Sequence, residues 1–156
     1  MSYKTAITRN KPSKPMKYLD ENGFLNNPFC VFDINQLDFG CGKGFDADHF
    51  KMDKYDPHFN PEFPTKLYDV ITCNYVLNVI PDQFTRDQVL RDIQSLLKSD
   101  GCAFITVRRD VKHDTDTQFR VCLDHLAIVY QDGSCCIYGL DKNTKLKEIE
   151  HEEIRA

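Results

Sequence analysis

The chain has 156 residues and a formal net charge of −4. That length suits a single domain, 1–156, with a core that needs no staples. The mild acidity argues against wholesale nucleic-acid binding, and no run of eighteen apolar residues is present to span a membrane. The seven cysteines are odd in number and lack CxxC spacing, and the N-terminus has no apolar signal core. These features read as reduced thiols, no metal centre and a cytoplasmic location.

In chain order, residues 1–17 form a basic arm with Lys4, Arg9, Lys11, Lys14 and Lys17 and no acid. "SKPMKYLDENGF" predicts a short helix, with Pro15 at an early position and Gly23 closing it. Strand character follows from about Ile34 to Phe39. Then come the glycine loop "GCGKG", a short helical stretch from about Phe45 to Phe50, and a brief strand "MDKYD" stopped by Pro57. Residues 57 to 67 read as loop. Tyr68 to Cys73 is nearly all apolar, as expected of a central parallel strand.

"PDQFTRDQVLRDIQSLLKSDG" predicts the longest helix, with Phe84, Val89, Ile93, Leu96 and Leu97 on one stripe and Gly101 closing it. "CAFITVRRD" is the next strand. After a polar linker at 111–118, "FRVCLDHLAIVY" and "SCCIYGL" flank Asp-Gly and predict a hairpin. Residues 141–156 are a charged tail around Leu146, Ile149 and Ile154. The order predicts a mostly parallel, Rossmann-like α/β sheet with a C-terminal antiparallel hairpin, and a ligand at the carboxyl ends of the first strands.

The loop narrows the ligand. A P-loop needs Gly-Lys-Ser/Thr at its end, whereas Lys43 lies between glycines and Phe45 follows Gly44. A dinucleotide fingerprint needs G-x-G-x-x-G, and Asp38 would repel a pyrophosphate. An adenosine cofactor carrying an amino group and a sulfonium meets these conditions better.

"LDFGCGKG" resembles the first motif of the class I S-adenosylmethionine-dependent methyltransferases. Asp56 in "KYDP", "YDVI", "NYVLNVI" and "CAFITVRRD" match the family's later segments in order, across about residues 30 to 140. The resemblance implies a shortened class I methyltransferase fold, with S-adenosyl-L-methionine as cofactor. It implies that Gly40, Cys41, Gly42 and Gly44 pass under the amino-acid part of the cofactor, with Asp38 nearby. Asp56 would hold the ribose diol in bidentate fashion, and Cys73, Asn74 and Tyr75 would line the methyl side. Asn74 and Tyr75 are the candidate catalytic residues, supplying an amide and an aromatic without the two prolines of the amino-methylating nucleic-acid enzymes. Arg108 and Arg109, at the end of the fifth family strand, are candidates to hold an anionic group of the acceptor. His58 and His113 are candidate bases.

Asp56 follows Gly44 by only 12 residues, against about 20 in an analogous dinucleotide unit. The first crossover helix is therefore very short, or Asp53 is the ribose acid. The family's usual third strand is not evident between Asp56 and Tyr68. A trimmed sheet edge favours a homodimer or a partner subunit. The acceptor stays open between small molecule, nucleic acid and protein. Two other readings compete: a non-catalytic S-adenosylmethionine-binding regulator, and an NAD-binding oxidoreductase.

Overall fold

The computed structural model describes residues 5–25 and 34–146. A six-stranded sheet forms its centre, in the order β2-β1-β3-β4-β6-β5. Its strands are β1 (Gln36–Phe39), β2 (Asp53–Tyr55), β3 (Tyr68–Asn74), β4 (Leu97–Arg108), β5 (Ala127–Gln131) and β6 (Cys135–Asp141). The first four are mutually parallel; β6 runs antiparallel to β4, and β5 antiparallel to β6. The predicted α/β sheet and its hairpin are both present. Among the described residues no strand lies between β2 and β3.

Each face of the sheet is covered by the helix whose apolar stripe fits it. On one face α3 (Gln83–Ser95) buries Val89, Leu90 and Ile93 against Leu37, Ile71, Ala103 and Ile105. Asp82 caps this helix by accepting the Thr85 amide at 2.8 Å. On the other face α1 (Lys14–Glu21) and α2 (Phe45–His49) pack Met16, Leu19 and Ala47 with Val70, Phe104 and Ile137. Alternation along β1 thus sends Leu37 and Phe39 toward α3 and Asp38 toward the α1–α2 side. None of the helices is long and apolar enough to cross a membrane, among the described residues.

Several boundaries differ from the sequence expectation. Gly101 does not close α3; it lies inside β4, and Leu97 opens that strand opposite Tyr68. Between the pairs Tyr68–Leu97 and Val70–Cys102 the register jumps, so residues 98–101 bulge out of the ladder. A Cβ on Gly101 would lie 2.7 Å from the Tyr68 carbonyl oxygen, so close backbone passage requires glycine there. Phe84, expected on the buried stripe, is 42% exposed. The first hairpin strand is shorter than expected, because residues 119–126 are irregular and only Ala127–Gln131 pairs. Leu146 packs on the core as expected of the tail, while Ile149 and Ile154 lie outside the described residues.

β2 and β3 lie on opposite sides of β1, so the chain order reverses at β1 and a crevice opens at the carboxyl ends of β1 and β3. That is where the glycine loop stands.

Candidate active site

A cleft of about 280 Å³ occupies this crevice. Its floor is the loop after β1, where Gly40, Gly42 and Gly44 all take positive φ. A Cβ on Gly40 would stand 2.3 Å from Val76 Cγ2, so the turn under the cleft admits no side chain there. The amides of Gly40 and Cys41 both donate to the Tyr55 carbonyl (2.7 and 3.0 Å), Gly42 donates to Asp56 (3.0 Å), and Gly44 donates to the Cys41 carbonyl (3.0 Å). Amides committed to the protein in this way do not form a phosphate cradle, which separates the loop physically from the dinucleotide and P-loop readings.

Three carboxylates line the cleft: Asp38, Asp46 and Asp56. Asp38 Oδ1 accepts the Thr72 hydroxyl at 2.9 Å from the neighbouring strand, and its carboxyl group is buried. Burial pushes its pKa up to about 7, with Asp46 and Asp56 adding like-charge repulsion against the Thr72 bond and Arg9. The cleft therefore carries a carboxyl group whose ionised form a cationic ligand would favour.

Asp56 stands just past β2. Its Oδ1 accepts the amides of His58 and Phe59 (2.9 and 3.1 Å), and its Oδ2 accepts Gly42 (3.0 Å). A carboxylate has about four lone-pair sites, so the remaining capacity lies on Oδ2, beside the loop. This geometry suits one hydroxyl rather than the symmetric bidentate grip expected from the sequence. Asp53, the alternative, accepts the Tyr68 hydroxyl at 2.7 Å and pairs with Lys66; it does not line the cleft.

The opposite wall comes from the end of β3. Among the described residues, the amide nitrogen and oxygen of Asn74 are both buried without a hydrogen-bond partner, as is Oε1 of Gln118, which also lines the cleft. Buried polar groups are ordinarily satisfied, so an open pair beside a cleft marks a place for ligand polar atoms. Tyr75 follows with φ of +60° while its amide donates to the Thr106 carbonyl at 2.9 Å. An aromatic residue held in the left-handed region is strained by roughly 1–3 kcal/mol. Burial raises its phenol pKa, so the hydroxyl stays protonated at neutral pH.

The basic arm forms the roof. Thr5, Ala6, Ile7 and Arg9 line the cleft. Lys43 Nζ donates to Thr8 Oγ1 at 2.9 Å, and Asp46 accepts both the amide and the hydroxyl of Ser13 (3.0 and 2.7 Å). Lys14 pairs with Asp132 and donates to Ser134 at 2.8 Å, which anchors the start of α1 on the β5–β6 turn. Arg9 makes no hydrogen bond or ion pair among the described residues, and its charge lies near Asp38 and Tyr75.

Of the residues selected from sequence, Asp38, Gly40, Cys41, Gly42, Gly44, Asp56, Asn74, Tyr75 and Arg108 line this one cleft. Cys73 does not; it faces the α3 side in the core, where burial raises its thiol pKa. The Cys41 thiol is likewise pushed up to about 12 by burial and by Asp38, so neither cysteine is an activated nucleophile. Arg109 lines a separate groove, and its guanidinium donates to the Asp132 carbonyl at 2.6 Å. Arg9, Ser13, Asp46 and Gln118 were not singled out. Only the charge of the arm pointed toward Arg9, and the other three carry no local motif.

Comparison with known proteins agrees with this fold. The family model for a methyltransferase domain matches residues 7–141. The fold is similar to that of N-methyltransferase NodS from Bradyrhizobium japonicum WM9, solved with S-adenosyl-l-homocysteine (TM-score 0.55, 12% identity, 80% of this chain and 82% of that one). It is also similar to the 1,6-didemethyltoxoflavin-N1-methyltransferase of Burkholderia thailandensis (TM-score 0.57, 15% identity, 81% and 76%). A third is the magnesium protoporphyrin IX methyltransferase of Synechocystis PCC 6803, solved with bound SAM (TM-score 0.52, 10% identity, 80% and 74%). No curated protein sequence matches significantly. With most of its length covered by that family model and its cleft at the sheet's reversal point, the chain belongs to the methyltransferase-domain family.

Proposed function

We propose that the protein transfers a methyl group from S-adenosylmethionine to an acceptor seated between Asn74, Gln118 and Arg108. The observation that carries this reading is Asp38, a buried carboxyl group facing the cleft with its pKa raised to about 7. It fits a ligand that is cationic near the loop and carries no phosphate. When bound, the cofactor supplies a methyl carbon activated by a sulfonium leaving group.

The chain's own residues bind, orient and exclude water. Asp38 in its ionised form balances cationic charge over the loop. Oδ2 of Asp56 accepts a ribose hydroxyl, and Arg9 is placed to hold the carboxylate of the cofactor. Asn74 and Gln118 offer buried acceptor oxygens to an N–H or O–H of the incoming nucleophile and fix its lone pair in line. Tyr75 closes the methyl side as a neutral wall. The arm at Thr5–Arg9 covers the loop and keeps water out. Asn78 takes no direct part, since it does not line the cleft and its side chain bridges the Arg108 amide and the Phe119 carbonyl (2.7 and 2.8 Å). If the acceptor arrives protonated, His58 lines the cleft as the candidate base.

The reduced cysteines and the soluble character of the sequence suit a cytoplasmic setting. The short edge strand β2 is the place for a homodimer or a partner subunit.

Turnover separates an enzyme from a binding-only regulator. Incubation of S-adenosylmethionine with the full chain and a deproteinised cell extract should release S-adenosylhomocysteine above the rate without protein. Asn74→Ala should reduce that release by about 100-fold while leaving cofactor affinity within about threefold. Cofactor binding with no release above background, in native as well as deproteinised extract, would favour the regulator.

A further inference from the structure

A second concavity of about 790 Å³ adjoins the first, between the end of β4, the connection at 109–126 and the β5–β6 hairpin. Arg108 lines both spaces. The linker after β4 forms no helix over this part of the sheet, and the floor of the space is set by buried Val107 and Tyr138 with half-buried Val121. The rim carries Arg109, Lys112 and Arg120 against a single acid, Asp114. Asp114 is engaged with the backbone amide of Arg120 at 2.8 Å. None of those three cationic side chains has a carboxylate partner among the described residues. Arg108, by contrast, is neutralised by a two-pronged pair with Asp110 (2.8 and 3.0 Å).

The groove is built rather than incidental. Buried Asn78 accepts the Arg108 amide at 2.7 Å and donates to the Phe119 carbonyl at 2.8 Å, while the Phe119 amide returns to the Asn78 carbonyl at 2.7 Å. One side chain thus fixes both walls. Arg109 is held in place by the Asp132 carbonyl, with its other side-chain donors open among the described residues. The two spaces differ in charge balance: in the first, Asp38, Asp46 and Asp56 are matched by Arg9, Lys43 and Arg108, whereas in the second Arg109, Lys112 and Arg120 face Asp114 alone. In an acidic protein such a division orients a ligand with an anionic end.

We propose that this groove binds a phosphate group of the methyl acceptor, holding it with Arg109, Lys112 and Arg120 while the acceptor's nucleophile reaches past Arg108 to Asn74. The assignment rests on the methyltransferase reading for the identity of the ligand, though the binding itself does not. Three cations facing one acid favour a multiply charged phosphate over a single carboxylate, and guanidinium forks match its oxygens.

The test is calorimetry on the full chain at low salt, with inorganic pyrophosphate as probe. Saturable binding is expected, weakened at least tenfold in the triple variant Arg109→Gln, Lys112→Gln, Arg120→Gln, with S-adenosylmethionine affinity unchanged in that variant. No saturable binding, equal binding by the variant, or equally tight binding of citrate would overturn the proposal. Displacement of pyrophosphate by a uridine decamer would assign the phosphate to a nucleic-acid strand; failure to displace it would assign it to a small phosphate ester. Loss of S-adenosylmethionine binding with intact pyrophosphate binding would sink the methyltransferase reading and leave the groove standing.

Discussion

Asp38 links the stability of the fold to the chemistry of the cleft. Its folded pKa of about 7 lies above the ordinary 3.8, so the native state holds this proton more tightly than the unfolded chain. Stability from this group is therefore full below the unfolded value and lost as pH rises toward 7. At pH 8 the ionised carboxyl group works against folding by an amount on the order of 4 kcal/mol. Asp38→Asn, which keeps an acceptor for Thr72, should raise the melting temperature at pH 8 and leave it nearly unchanged near pH 4. A lower melting temperature at pH 8 would contradict this. The same proton opposes a cationic ligand, so S-adenosylmethionine affinity should fall by up to about tenfold per unit as pH drops below 7, and Asp38→Asn should flatten that profile. Asp56 makes a second residue-scale test. Asp56→Ala should weaken cofactor binding by about 1.5–3 kcal/mol and also destabilise the fold, since three backbone amides lose their acceptor. Asp53→Ala should leave affinity unchanged, because Asp53 bonds Tyr68 away from the cleft. Calorimetry on the two variants decides which acid serves the ribose.

The glycine loop and the arm work as one element. Ser13→Ala removes a 2.7 Å bond to buried Asp46 and should cost about 1 kcal/mol in denaturant unfolding. It should loosen the roof as well, seen as faster amide exchange at residues 5–9; unchanged exchange there would mean that Asp46 does not anchor the arm. Gly42→Val places a branched side chain at a φ of +56°, where its Cβ would stand 3.5 Å from Ala6 Cβ, and should abolish cofactor binding while the sheet stays folded. Much of this element was legible in sequence, because Gly-x-Gly-x-Gly after a strand, a preceding acid and a following acid are local signals. The roof was not: the bond from Ser13 to Asp46 spans 33 residues and leaves no motif. Gly101 was misread for a related reason. A glycine after a helical stripe looks like a helix end, yet here it answers the Tyr68 carbonyl across the sheet. Gly101→Ala should lower stability by more than the about 1 kcal/mol of an ordinary glycine exchange.

Across the whole molecule, topology does what no single motif could. The reversal at β1 brings Asp38 and Arg108, 70 positions apart, to one cleft. Alternation along β1 divides Asp38 from Leu37. It could not say that Arg108 would line both spaces and Arg109 only the second, because that depends on how the irregular connection at 109–126 folds back. The most direct measurement of the central claim is a calorimetric titration of the full chain with S-adenosylmethionine, beside one with NAD. One molecule of S-adenosylmethionine per chain should bind more tightly at about pH 8 than at about pH 6, with no NAD binding. NAD binding without S-adenosylmethionine binding would contradict the account.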